Sequence, residues 1–217
     1  GGPYTARYGL EFNPMSQLMA ARGYQVFLPN FHSSGGYGTA FMVRQRADWG
    51  GQDWRDVMTG VDALVARGLA DGDKLGVFGH SYGGYLTAWA IGHTTRFKAA
   101  IVSAGAVDLP ALWAQSDTHQ YRAYEFNGVP MKTRELWWRS SPLASYDRVR
   151  TPTLVLNGEA DVRIPYPQAQ EDYQTLKAAK VPTEFVHYPR EGHGLREPRH
   201  RADWYTRQVE WFDRWVR

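Results

Sequence analysis

The sequence of 217 residues contains no cysteine. Its absence excludes disulfide bonds, cysteine-ligated zinc, iron–sulfur clusters and catalysis by a thiol. It also favours a reducing compartment such as the cytoplasm over an oxidising one. A chain of this length can bury a core that needs no such cross-links.

Long apolar runs are lacking as well. No run approaches the ~20 residues that a membrane-spanning helix requires, so no membrane partner is expected. Neither sign of charge dominates, because 25 lysines and arginines stand against 22 acidic residues. Even the stretch 190–217, which has seven arginines, also contains five acidic residues. Nucleic-acid binding would need basic residues clustered on one face, so no nucleic-acid partner is expected either.

The short apolar runs that are present predict buried parallel strands, because they lack the alternation of a half-exposed sheet. They lie at 25–28, 75–78, 99–102 and 153–156, with a more mixed candidate at 183–188. Strands that alternate with helical patterns predict an α/β fold with a mostly parallel sheet and helices on both faces. No repeat, low-complexity stretch or linker divides the sequence, so 1–217 is interpreted as one domain.

Two helices are predicted from apolar residues at helical spacing, one over 53–67 and one over 205–216. Both apolar stripes are expected to pack in the core. The stretch 109–146 is rich in aromatic residues and has no strand periodicity. It is expected to form helices or loops over one end of the sheet.

The segment Gly79-His80-Ser81-Tyr82-Gly83 matches the G-x-S-x-G pattern of a nucleophile elbow. It follows a predicted strand and precedes a helix-compatible run, which is the context that this pattern requires. The glycines allow helix and strand to approach closely at a sharp turn. Ser81 would then lie exposed at the start of a helix, where backbone N–H groups can stabilise an oxyanion. A glycine-rich turn with an incidental serine is the alternative.

A nucleophilic serine needs a base, and the base needs a carboxylate to orient it. Among seven histidines, His193 stands out because it lies between two glycines in a loop directly after the last predicted strand. His187 falls inside that strand and is expected to be packed there. Asp161, Glu159 and Asp108 all follow strands and are candidates for the acid. The chain order serine, acid, histidine favours Asp161, although Asp108 also fits it.

Short motifs, among them the elbow at Ser81 and the loops of Asp161 and His193, are spread over essentially the whole chain. They are Gly1-Gly2-Pro3, Gly35-Gly36-Tyr37-Gly38, Trp49-Gly50-Gly51-Gln52-Asp53, Gly79-His80-Ser81-Tyr82-Gly83-Gly84-Tyr85, Asp161-Val162-Arg163-Ile164-Pro165 and Gly192-His193-Gly194. With these motifs the sequence resembles the catalytic domain of the prolyl oligopeptidase family of serine peptidases, particularly its acylaminoacyl-peptidase-like and dipeptidyl-peptidase-like branches.

This resemblance implies an α/β-hydrolase fold with Ser81, Asp161 and His193 as the catalytic residues. It implies oxyanion donors at the backbone N–H groups of Tyr82 and Gly2. It further implies a substrate-side role for Arg163 and an apolar wall at Ile164. A salt-bridged or solvated loop arginine is the alternative for Arg163.

Family members carry a β-propeller before the hydrolase domain, and this sequence contains no blade-like repeats. The resemblance therefore predicts that 1–217 lacks the propeller and the first strands of its sheet, including an interior strand that Gly1-Gly2 would follow. The expected partner is an upstream segment of the polypeptide or a separate N-terminal chain. An oligomer is compatible with the sequence.

The predicted function is hydrolysis of short peptides through an acyl-enzyme, without a cofactor or a metal ion. A carboxylesterase is the first alternative, because the same three residues cleave esters. A catalytically silent binding module is the second, and it is disfavoured because every catalytic position is filled.

Overall fold

Four parallel strands form the sheet of the computed structural model, which describes residues 2–4 and 6–217. Their order in the sheet is the order of the chain. They are β1 (Leu75–His80), β2 (Phe97–Ser103), β3 (Thr153–Gly158) and β4 (Thr183–Tyr188). The predicted strands at 75–78, 99–102, 153–156 and 183–188 are therefore confirmed.

Helices cover both faces of this sheet, as expected for parallel strands. In chain order the α-helices of the described residues are α1 (Pro14–Ala21), α2 (Thr39–Met42), α3 (Gln52–Ala66), α4 (Tyr82–His93), α5 (Leu109–Gln115), α6 (His119–Glu125), α7 (Arg134–Arg139), α8 (Tyr166–Ala178) and α9 (Pro198–Trp215), with a 3-10 helix at Pro142–Arg148. Both predicted helices are present, as α3 and α9. Among the described residues, no helix combines the length and the apolar character needed to cross a bilayer.

Alternate residues of β2 point to opposite faces and reach different helices. Ala99 and Ile101 pack with α1 and α9, whereas Ala100 and Val102 pack with α4 and α8. The apolar stripe of α9 is part of the first of these clusters, as predicted. The stretch 109–146 forms α5 to α7 and the 3-10 helix, and residues of α5 and α7 pack against the start of α4.

The predicted strand at 25–28 is wrong. These residues form no regular secondary structure, and in the described part of the chain β1 has a ladder only on the side of β2. A cavity of about 800 Å³ is lined by residues of both 25–28 and β1. A strand needs a hydrogen-bonded neighbour, and an apolar sequence alone does not supply one.

The apolar stripe of α3 faces the same cavity. Trp54, Val57, Val61 and Leu64 all line it and are only half-buried. The expectation that this stripe packs in the core is therefore met only in part. The amphipathic pattern correctly predicts the helix α3, but the space between its apolar stripe and β1 is a cavity and is not filled by apolar side chains of the residues that the structure describes.

Candidate active site

Ser81 lies on the turn between β1 and α4, with its backbone at φ 61° and ψ −119°. Few residues other than glycine adopt a positive φ, so this conformation stores strain. The N–H of Ser81 donates to the carbonyl of Ser103 at the end of β2, at 2.9 Å. A Cβ atom at Gly79 would lie 2.3 Å from the carbonyl carbon of Gly83. The elbow can therefore form only because residue 79 has no side chain.

His193 lies between Ser81 and Asp161. Its Nε2 atom is 2.8 Å from the Ser81 Oγ, and its Nδ1 atom is 2.8 Å from the Asp161 Oδ2. A carboxylate only accepts, so Nδ1 carries the ring proton and Nε2 is left to accept from the serine hydroxyl. This is the tautomer that a general base acting on Ser81 requires.

The Asp161 side chain is fully buried, whereas that of His193 is 31% exposed. The second carboxylate oxygen of Asp161, Oδ1, accepts from the backbone N–H groups of Arg163 at 2.8 Å and Ile164 at 3.0 Å. These bonds fix the carboxylate in the loop that follows β3. Both oxygens are thus committed, one to the loop and one to the imidazole.

The other candidate carboxylates are engaged elsewhere. Asp108 caps α5 by accepting from the N–H of Ala111 at 2.9 Å. Glu159 pairs with His187 at 2.5 Å, and both side chains are at least 40% exposed. The expectation that His187 is packed inside its strand is wrong, because its side chain is 45% exposed, although its ring lies near those of Tyr166 and Phe185.

Tyr82 follows the serine and opens α4, where the first N–H groups have no partner within the helix. Its ring is buried and meets that of Trp49 edge to face at 4.7 Å. Its hydroxyl donates to the carboxylate of Asp53, which also accepts from the Trp54 N–H at 2.7 Å. Burial raises the pKa of Asp53 to about 6 despite these bonds. The Tyr82 backbone is thereby held by its side chain.

The support beneath Tyr82 was missed in the sequence, although its signal was present. Trp49 and Asp53 are the two ends of the quoted motif Trp49-Gly50-Gly51-Gln52-Asp53. The Trp49 indole N–H donates to Glu125 at 3.0 Å, and the hydroxyl of Tyr4 donates to the same carboxylate at 2.6 Å. The motif therefore links the segment before α3 to α6 underneath the elbow.

The second predicted oxyanion donor is the N–H of Gly2, and no described contact joins it to Ser81. It remains a prediction, and Gly1 of the same motif lies outside the described residues.

Arg163 forms a two-point ion pair with Asp117, with N–O distances of 2.7 and 3.0 Å. Hydrogen bonds from this guanidinium hold the pKa of Asp117 below its ordinary value. The Arg163 side chain is still 46% exposed. Ile164 is 1% exposed and packs in the cluster that contains Tyr82. The roles implied for both residues on the substrate side remain predictions.

His80 lies beside His193, with 4.8 Å between the ring centroids. Its Nδ1 atom is 3.1 Å from the Ser103 hydroxyl. Desolvation, together with the nearby His193, lowers the pKa of His80 to about 4. At neutral pH the ring next to the candidate base is therefore uncharged and does not repel a protonated His193.

Residues 10–217 match the prolyl oligopeptidase family over nearly the whole chain. The chain belongs to this family. The resemblance stated from the motifs is confirmed, and so is the α/β-hydrolase fold.

The prolyl oligopeptidase relatives that the chain resembles are much longer. An uncharacterized peptidase, YuxL, from Bacillus subtilis is 36% identical over 98% of this chain and 33% of its own length. A dipeptidyl-peptidase 5 from Porphyromonas endodontalis is 32% identical over 100% of this chain and 32% of its own. This chain thus spans about a third of the length of these relatives.

Among solved structures, an acylaminoacyl peptidase from Pyrococcus horikoshii superposes on the whole chain with a TM-score of 0.95 at 30% identity. The superposition covers 36% of that protein.

Proposed function

We propose that this chain is the catalytic domain of a serine peptidase that cleaves short peptides through an acyl-enzyme. One observation carries the proposal: a continuous row of hydrogen bonds joins Ser81, His193 and Asp161 across three loops, each of which follows a different strand. Membership of the prolyl oligopeptidase family supports it.

In the proposed reaction the Ser81 Oγ bonds to the carbonyl carbon of the peptide while its proton passes to the His193 Nε2. The carbonyl oxygen becomes an oxyanion, which the N–H groups of Tyr82 and Gly2 stabilise. When the C–N bond breaks, His193 gives its proton to the leaving amine. A water molecule then attacks the acyl-enzyme with His193 again as base, and the acid product and the free serine are released.

Asp161 orients the imidazole and stabilises its charged form. The mechanism needs no metal ion or cofactor, because His193 carries out every proton transfer and backbone N–H groups stabilise the oxyanion. On the substrate side, the exposed part of the Arg163 guanidinium has further N–H donors that suit a peptide carbonyl. Ile164, which is buried in the cluster that contains Tyr82, contributes to the apolar wall of the same region.

Relatives named as dipeptidyl-peptidase and acylaminoacyl peptidase support a peptide as the substrate. The test is to label the protein with a fluorophosphonate and to compare turnover of a peptide anilide with that of the matching ester. We expect labelling of wild-type protein but not of Ser81→Ala, and turnover of both substrates. Turnover of the ester alone would indicate a carboxylesterase, and an unlabelled wild-type protein would indicate a binding module.

We further propose that an upstream segment of the polypeptide supplies a strand between β1 and 25–28, and that the family's β-propeller precedes this strand. Support comes from the cavity of about 800 Å³ and from the apolar residues of α3 that line it. The greater length of the relatives supports it too. The test compares thermal unfolding of 1–217 with that of a version extended upstream. A cooperative transition with full peptidase activity in 1–217 alone would contradict the proposal.

A further inference from the structure

Glu191 is buried inside the loop that connects β4 to α9 and carries His193. The residue is 2% exposed. Its Oε2 atom accepts from the N–H of Arg196 at 2.8 Å, and its Oε1 atom accepts from the N–H of Glu197 at 2.8 Å. The side chain therefore bridges the loop from one side of His193 to the other.

The main chain of Glu191 makes a second connection, to the loop that carries the acid. Its carbonyl oxygen accepts from the N–H of Ala160 at 2.8 Å. Ala160 is the residue before Asp161, so a single residue ties the loop of the base to the loop of the acid. The close approach leaves no room for a side chain at Gly158, where a Cβ atom would lie 2.4 Å from the Glu191 carbonyl oxygen.

The carboxylate of Glu191 is held in its charged form. Burial alone would raise its pKa, but the two backbone N–H groups and His200 together keep the pKa below the ordinary value. The His200 Nδ1 atom is 2.9 Å from Oε1. Hydrogen bonds to an ionised acceptor are roughly twice as strong as those between neutral groups.

An exposed ion pair spans the same loop and offers a natural comparison. The Arg190 guanidinium donates to Glu197 at 3.0 Å through two N–H groups. The Arg190 side chain is 71% exposed and that of Glu197 43%. Exposed pairs contribute little to holding a structure, because solvent competes for both partners.

We propose that Glu191 is a positioning residue that holds the His193 imidazole in line between Asp161 and Ser81. It acts through the loop and does not touch the substrate. This inference rests on the proposed peptidase function.

The test replaces Glu191 by glutamine, which keeps one acceptor oxygen but turns an NH2 group toward a backbone donor. A misplacement of about 1 Å can lower the rate ~10²-fold. We therefore expect kcat, normalised to the fraction of molecules in which the fluorophosphonate can label Ser81, to fall by about 10- to 100-fold. KM should stay within about twofold, since no contact with substrate is lost. Glu197→Gln is the matched control, and its kcat should stay near that of wild type.

A second readout does not depend on turnover. The Nδ1 proton that His193 shares with Asp161 should give a low-field proton NMR signal, which Asp161→Asn identifies by removing it. The signal should broaden or shift in Glu191→Gln and stay unchanged in Glu197→Gln. If wild-type protein neither labels nor turns over substrate, the proposed function fails, but this signal still tests whether Glu191 holds the imidazole.

Three results would overturn the proposal. The first is a Glu191→Gln protein with wild-type kcat and an unchanged NMR signal. The second is a lower unfolding temperature with kcat per labelled serine unchanged, since Glu191 would then only stabilise the fold. The third is a loss of kcat in Glu197→Gln that equals the loss in Glu191→Gln. If Glu191→Gln does not fold, Glu191→Asp takes its place, because its shorter carboxylate reaches only one of the two N–H groups.

Discussion

At the scale of single residues, the His193 imidazole is held by Asp161, whose side chain is fully buried. Asp161→Asn should fold but reduce kcat by up to about 10⁴-fold, because an amide donor facing Nδ1 favours the wrong imidazole tautomer. The loss should be smaller than that of Ser81→Ala or of a His193 variant, since these residues act as a unit. Turnover of a peptide anilide by each purified variant measures the effect.

Glu159→Gln and Asp108→Asn provide the controls for this prediction. Glu159 pairs with His187 at the surface, and Asp108 caps α5, so both variants should keep kcat near that of wild type. A larger loss in Glu159→Gln than in Asp161→Asn would move the assignment of the acid two residues upstream.

The buried contact between Tyr82 and Asp53 has a pH dependence whose direction follows from the raised pKa. Folding raises the pKa of Asp53 from its ordinary value of 3.8 to about 6. Protonation of Asp53 therefore stabilises the folded state at low pH, and this stabilisation is lost as the pH rises through about 6. The Tyr82 hydroxyl then supports the charged form. Tyr82→Phe should therefore lower the free energy of unfolding by about 1–3 kcal/mol at pH 8 and by less at pH 5.

Urea unfolding of wild type and Tyr82→Phe at the two pH values measures this difference. If Tyr82→Phe lowers the free energy of unfolding equally at pH 5 and pH 8, Asp53 does not change its charge in this interval.

At the scale of elements, the end of β3 and the His193 loop approach so closely that Gly158 has no space for a side chain. A Cβ atom there would meet the carbonyl oxygens of Glu191 and Gly192, both at 2.4 Å. Gly158→Ala should therefore lower the free energy of unfolding by about 1–3 kcal/mol, as overpacking does elsewhere. Urea denaturation measures the loss.

Gly192→Ala is the control, because the nearest atom to its added Cβ would be the Ala160 carbonyl oxygen at 4.0 Å. Its stability should be close to that of wild type. Equal losses in the two variants would show that the close approach at Gly158 is not the cause.

The elements that could be predicted from the sequence are those whose signal is local. The elbow at Ser81 follows from a strand, a glycine-rich turn and a helix in sequence, and the loops of Asp161 and His193 follow from strand ends. Glu191 could not be predicted as a bridge, because acceptors of backbone N–H groups leave no periodic pattern. The strand at 25–28 was mispredicted because strand formation depends on a neighbour, which is not a local property.

At the scale of the whole molecule, the cavity beside β1 should act as a binding site for apolar dyes. Edge strands with apolar residues also invite association between molecules. We expect folded 1–217 to enhance the fluorescence of ANS and to aggregate with rising concentration, and a version extended upstream to do neither. Fluorescence and light scattering measure the two effects. Equal ANS fluorescence in both versions would contradict an upstream strand in the cavity.

The spacing of the catalytic groups along the chain has a consequence for biosynthesis. Ser81 and His193 are in hydrogen-bond contact but lie 112 positions apart, with Asp161 between them in the sequence. Since a ribosome makes the N-terminal part first, a growing chain carries the nucleophile long before its base exists. The proposed peptidase is therefore inert during its own synthesis until the last of the three loops has been made and has docked.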